Sequence, residues 1–451
     1  MNNSYPSFLS NEKPLDWPIL DGPVTPDQPV KNELEFQGKL LPAICVGIYF
    51  ICVFPPPIWP IQNLRWYMAL GLALFAFLVQ KKSLNPRAAS VFWVVAGLNF
   101  LGALVSLLRA NSFDLALWST VGFGINILIF LLFLPTISTR LARQFLLIVL
   151  IGTSIVWCFE IQRDLNLYGT SVVFAPQVVG WDKNKIGDLL NLGVLSLFFL
   201  AVIWKPTRRM PAWLILLIRI GLGAVGLYLL YYLSVLYDRS GVLVTFIGIG
   251  MLLVLSFTMS PSRWSGLLRT FIAAAIITII ILLFMPKILE VSPRWNRLGN
   301  ISSQGLSAIS TYEIRMTLIR KALFLVSENP FLGIGIGGTR QVVSSAYVNY
   351  PGFYIHNNYL TEWAEKGILA ILSYIIWLFV YLKFLRRKFL KVPPIDQLWL
   401  FIIGNAFITG FFADNNTVLL FMVIIFSGIY YEQYQKEQSK MAADSVAANE
   451  M

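Results

Sequence analysis

The chain holds a single imidazole, His356. No other side chain in it has an unperturbed pKa suited to proton transfer near neutral pH. It sits in Tyr354-Ile-His-Asn-Asn-Tyr-Leu-Thr-Glu-Trp-Ala-Glu-Lys-Gly367, where Asn357 or Asn358 can cap a helix through Tyr359, Leu360 and Trp363. His356 then lies just before a helix start, placed to act as a general base, although a lone loop histidine can equally be incidental. Upstream, Thr311 to Glu328 reads as a helix ended by Asn329-Pro330. Glu313, Thr317, Lys321 and Glu328 share a polar face, and Arg315 points about 200° away from Glu313 at ~100° per residue. That sets a guanidinium beside Leu318, Ile319 and Ala322, a costly position unless an anion or a buried carboxylate meets it.

Two further arginines stand in short motifs. Arg239 lies in Tyr237-Asp238-Arg239-Ser240-Gly241, a tight turn between two apolar runs. It reads either as a surface pair with Asp238, worth little, or as an arginine facing a phosphate at headgroup level. Arg340 closes Asn329-Pro-Phe-Leu-Gly-Ile-Gly-Ile-Gly-Gly-Thr-Arg340. Gly333, Gly335 and Gly338 satisfy G-x-G-x-x-G, but a dinucleotide site needs a preceding strand and a βαβ unit, and neither is present. The glycines read instead as a flexible turn, or as backbone that lets N–H groups approach a ligand.

The elements that must position these residues follow from composition. Of 451 residues, 57% are hydrophobic and 13% charged, which excludes an ordinary soluble enzyme and a disordered chain. Apolar blocks of spanning length recur, and a transmembrane barrel would show short alternation instead. We read an all-α polytopic membrane protein of about twelve spans, with cores near 40–59, 64–80, 89–108, 114–134, 144–159, 189–204, 212–236, 240–258, 266–286, 368–385, 397–413 and 417–431. Lys and Arg gather in alternate connections, which sets both termini in the cytoplasm and needs no nucleic-acid partner to explain the net charge of +12. The layout is a polar tail over 1–39, spans over 40–286, a large outer loop over 287–367 with His356 and most of the motifs, spans over 368–431, and a tail over 432–451. The first segment lacks the basic start and apolar core of a signal peptide, so no cleavage is expected. Cys45, Cys52 and Cys158 all lie in apolar runs, so neither a disulfide framework nor a zinc site is expected.

NPFLGIGIGG followed by IHNNYLTEWAEKGI resembles the signature region of the O-antigen ligase and O-antigen polymerase superfamily. YDRSGVLVTF resembles that family's Ser-Arg-Gly-type turn, with Asp238 in place of the usual small residue. YEIRMTLIRKAL resembles its Arg-bearing helix, and WDKNKIGDLL, with Asn184, loosely matches a further family segment. The close likeness covers roughly residues 237–370. It implies a GT-C type glycosyltransferase that takes a glycan from an undecaprenyl-diphosphate carrier at the outer leaflet of a bacterial inner membrane. It also implies catalytic roles for His356, Arg239 and Arg315 and no metal or other cofactor.

On this reading the guanidiniums of Arg239 and Arg315, with Arg340 as a third, stabilise the diphosphate leaving group. His356 takes the proton of the acceptor hydroxyl, and a single displacement inverts the anomeric centre. Lys321, Arg340, Asn357 and Asp238 are expected to contact substrate. Ligation to lipid A-core is the favoured reaction. Chain polymerisation and transfer to a protein are the alternatives within the class. A secondary transporter or a lipid-linked glycan flippase is the alternative outside it. Clustering of charge at one face, rather than at the bilayer centre, favours the enzyme.

Overall fold

In lipid every backbone polar group must be satisfied within its own segment, so long apolar runs fold as helices. The computed structural model describes residues 29–53, 65–80, 89–169, 183–203, 210–236, 239–258, 286, 290, 310–346, 355–412 and 416–449. These residues are almost entirely helical, with no strand among them. The α-helices are α1 (Pro29–Val53), α2 (Arg65–Gln80), α3 (Ser90–Ser106), α4 (Phe113–Ile137), α5 (Arg140–Tyr168), α6 (Lys183–Ile203) and α7 (Ala212–Val235). They continue with α8 (Arg239–Thr258), α9 (Ser310–Glu328), α10 (Gly338–Ala346), α11 (Asn358–Lys366), α12 (Ile368–Lys388), α13 (Pro394–Thr409) and α14 (Asn416–Asn449).

Among the described residues six stretches are long and apolar enough to cross a membrane: Ser90–Arg109, Phe113–Ile137, Arg140–Tyr168, Ile186–Ile203, Ala212–Val235 and Ile368–Lys391. Lys39–Ile51, Tyr67–Gln80 and Gly241–Phe257 are shorter apolar helices. The span expected at 266–286 lies outside the described residues, Pro286 excepted. Helices also run past their apolar cores. α1 begins at Pro29 and α14 continues to Asn449, because Glu, Gln, Lys and Ala extend a helix that hydropathy alone would end.

Specific contacts fix the directions of the helices. Asn191 on α6 accepts a hydrogen bond from Thr245 on α8 at 2.7 Å. One turn further, a Cβ on Gly248 would lie 2.7 Å from Leu195, so α6 and α8 run parallel. α7 returns antiparallel to α6, with Leu229 against Gly193 and Gly226 against Leu197. The Tyr232 hydroxyl donates to Gln162 Oε1 at 2.6 Å, tying the ends of α7 and α5 together. α13 starts beside Arg143, where Trp399 Nε1 donates to the Arg143 carbonyl at 3.1 Å, and reaches Gly248 through Asn405. It therefore ends, at Gly410, at the same end of the bundle where α8 begins with Arg239. Aromatic packing of Trp377 on Phe407 (centroids 4.1 Å) and of Tyr381 on Phe407 and Phe426 binds α12, α13 and α14.

The far end is closed by a buried ion cluster. Arg143, fully buried, donates to Asp396 at 2.8 Å, to the Ile137 carbonyl at 2.7 Å and to Glu432. Its side chain thus joins the α4–α5 turn to α13 and α14. Lys388 pairs with Glu437 nearby.

Candidate active site

His356 stands immediately before α11. Its φ of 54° is the one left-handed value at a non-glycine residue among the described residues. Such a conformation costs ~1–2 kcal/mol for a residue with a Cβ, so flanking contacts must hold it. On one side Ile355 is buried. On the other, Asn357 caps the helix, its Oδ1 accepting from the Leu360 N–H at 3.0 Å. The Asn358 N–H donates to the Gly410 carbonyl at 2.8 Å, and the Tyr359 hydroxyl donates to the Phe407 carbonyl at 2.7 Å. The Tyr359 ring packs on Phe411 and Tyr374. The start of α11 is thereby pinned to the end of α13, and half-buried His356 sits at that anchor.

The other end of α11 is gripped by the glycine segment. The Ile334 and Gly335 N–H groups donate to the Ala364 and Glu365 carbonyls at 2.9 and 3.0 Å. Trp363 Nε1 donates to the Pro330 carbonyl at 3.0 Å, and the Ile368 N–H to the Phe331 carbonyl at 3.3 Å. Gly333 (φ 74°) and Gly367 (φ 73°) face each other here. A Cβ on Gly333 would collide with the Glu365 carbonyl, and one on Gly367 with the Phe331 carbonyl. Backbone N–H groups of the motif are thus engaged with α11 itself. The segment is a close-packed clasp, neither a flexible turn nor, through these groups, a ligand cradle.

Glu365 completes the clasp. Its buried carboxyl accepts from the Thr339 hydroxyl and the Gly337 N–H, at the start of α10. Burial lifts its pKa to about 7, against those two hydrogen bonds and the Lys366 charge, which lower it, while the nearby Glu362 charge adds to the rise. α10 carries Arg340, whose side chain is exposed.

α9 lies against the same unit. Leu325 and Val326 form a small core with Ile334 and Ala364, edged by Val342 and Trp363. Arg315 falls in line with the buried Leu318 and Ala322 and is half-buried, the inward placement that the helical period predicts. Lys321 donates to the Val342 carbonyl at 3.4 Å and links α9 to α10. Asn357, expected to contact substrate, has its side-chain oxygen engaged in capping.

The clasp rests on the bundle through a buried pair. Lys366 Nζ meets Glu362 at 2.6 Å and Asn99 Oδ1 at 3.2 Å, and lies 3.8 Å from the centre of the Phe123 ring. Asn99 in turn donates to Ser373 at 2.7 Å. The Asn111 N–H reaches the Ile334 carbonyl at 3.4 Å. Elements α9, α10 and α11 therefore cap the end of the bundle where α3, α5 and α7 finish and α8 begins.

Arg239 is the first residue of α8, at that same end. Asp238 and the side chain of Arg239 lie outside the described residues. Asp188 was not singled out from the sequence. It is buried on α6, one turn above Asn191 on the stripe that faces α8, and so lies next to the first turn that Arg239 opens. The signal was present: an Asp and an Asn three apart in an otherwise apolar run. Glu365 and the Glu362–Lys366 pair were also missed, because WAEK reads as solvated polarity until its packing is known.

Apolar helices capped at one end by a charged helical unit define a polytopic membrane protein with its candidate site at the mouth of the spans. Residues 224–375, from within α7 to within α12, match the family model described as O-antigen ligase. The matched segment is similar to an O-antigen ligase domain and includes Arg239, Arg315, Arg340, His356 and Glu365. At family level this supports a membrane glycosyltransferase of the ligase/polymerase type. No curated protein matches the chain.

Proposed function

We propose that the protein transfers a glycan from undecaprenyl diphosphate to an acceptor hydroxyl at the outer leaflet, by inversion and without a metal ion. The observation that carries this reading is His356. The chain's one imidazole is held in a left-handed backbone, at the bundle end that also bears the helices of Arg315, Arg340 and Arg239. Strain at a residue suited to proton transfer marks a site whose geometry is maintained for chemistry.

In this mechanism His356 accepts the acceptor's hydroxyl proton as oxygen attacks the anomeric carbon. The bond from that carbon to the diphosphate breaks, and Arg239 and Arg315 stabilise the charge that gathers there. A preorganised guanidinium fork suits phosphate oxygens and can replace a divalent cation in this role. The full reading includes about twelve spans, both termini in the cytoplasm and the α9–α11 unit outside. Lipid A-core is the favoured acceptor, with a growing glycan as the alternative.

Purified protein, undecaprenyl-diphosphate glycan and lipid A-core test it directly. Transfer to core in excess EDTA is the expected result. Chain extension in the absence of core would assign the polymerase reaction, and strict magnesium dependence would overturn the arginine clamp.

A further inference from the structure

α9 has a second face that the site does not use. Leu318, Ala322, Leu325 and Val326 point inward. On the outside Leu323 and Phe324 are 48% and 58% exposed, and Phe331, in the turn that follows, is 70% exposed. Half-buried Met316 and Ile319 extend the same sector, and exposed Arg320 lies among them. A sector of Ile, Met, Leu and Phe with one arginine and one serine, Ser327, suits the boundary between acyl chains and headgroups. There the apolar groups enter lipid and the guanidinium reaches phosphate.

The position of this face relative to a span names what covers it. The Phe331 carbonyl accepts from the N–H of Ile368, the first residue of the spanning helix α12. From Ile368 the exposed stripe of α12 runs through Leu372, Ile375, Phe379 and Leu382 at alternating steps of three and four residues. These residues face outward on a membrane-spanning helix, so their partner is lipid. Phe331 thus stands beside the first residue of that stripe, and Leu323 and Phe324 are exposed on the helix that leads into its turn.

We propose that α9 and the turn after it form an interfacial anchor, with Leu323, Phe324 and Phe331 inserted into the lipid surface beside α12. Arg315 projects about 180° from Phe324 on the same helix, so the anchor would fix the height of that guanidinium relative to the headgroups. The anchor needs no assumption about the reaction, and its test is separate from transfer.

The test uses the full chain in lipid nanodiscs. Nitroxides are placed on Leu323→Cys, Phe324→Cys and Phe331→Cys, with Glu328→Cys as the polar comparison. The signal of the labelled unsubstituted protein, which carries Cys45, Cys52 and Cys158, is subtracted. Relative to Glu328, collision with oxygen over a water-soluble nickel chelate should rise at least about twofold at the three apolar positions. Equal or greater access of the chelate there overturns the proposal. A lipid bearing a shallow photoreactive group provides a second measurement on the unsubstituted protein. Adducts should map to the peptide spanning 316–331, and adducts confined to the spanning helices would equally overturn it.

Discussion

Arginines at the two ends of the bundle have opposite surroundings. Arg143 is fully buried and meets two carboxylates and a carbonyl, so its charge is neutralised and its donors are directed at protein. Arg315 is half-buried and Arg340 exposed, on helices that pack against the far end of α11, the helix that His356 precedes. Burial among acids makes an arginine a fastener. Placement at a more open edge keeps the side chain in reach of solvent and of an anion that arrives from it. The same residue type therefore predicts a folding defect at one end and a catalytic defect at the other.

His356 should show the largest effect. His356→Gly suits a φ of 54° without a Cβ and removes the base. Transfer is expected to fall ~10²–10⁴-fold. Thermal unfolding in detergent should hold or rise, because ~1 kcal/mol of backbone strain is relieved. A variant that unfolds more easily would mean that the imidazole is structural. Next, Arg315→Lys keeps charge but loses the fork, and should lower transfer by about 10²-fold at an unchanged unfolding temperature. Arg143→Met should do the reverse. It leaves Asp396 without its bonded cation and Glu432 with Lys436 alone, at ~3–5 kcal/mol of stability, while the folded fraction keeps its turnover. Loss of turnover per folded molecule in Arg143→Met would break the contrast between the two ends.

Much of this contrast could be read from sequence. Helical periodicity put Arg315 on the inward side of its helix, and the Asn pair after His356 announced a cap that the structure places at Asn357. Apolar runs coincide with helices among the described residues, although not with where those helices stop. What could not be read was long-range partnership. Arg143 looked like one more positive charge in a connection, because Asp396 and Glu432 are 253 and 289 residues away. The glycine motif looked like a turn or a cradle, because its partners, the carbonyls of Ala364 and Glu365, carry no side-chain signature. Backbone-to-backbone docking is invisible to residue-type reasoning.

The clasp gives a way to sharpen the comparison without touching a charge. Gly333→Ala adds a Cβ at φ 74°, where the Glu365 carbonyl already lies. Strain and overpacking together should cost ~2–3 kcal/mol, or shift α11 to relieve it. Either response moves the anchor of His356, so transfer should fall more than the folded fraction does. Equal losses of the two would make the clasp a fastener of the Arg143 kind.

Glu365 offers the smallest effect and a distinct signature. Its pKa is about 7 in the folded protein, against an ordinary 4.5, because burial penalises the carboxylate more than Thr339, Gly337 and Lys366 favour it. The protonated form is thus favoured by folding. That stabilisation is complete below about pH 4.5 and is lost as pH rises through about 7. Unfolding temperature should therefore decline across this window in the wild-type protein. Glu365→Gln keeps a carbonyl oxygen for Thr339 and Gly337 but cannot ionise, so the part of the decline due to this group should vanish. An unchanged slope in Glu365→Gln would remove the carboxyl from the account and leave the Ala364 and Glu365 carbonyls to hold the clasp alone.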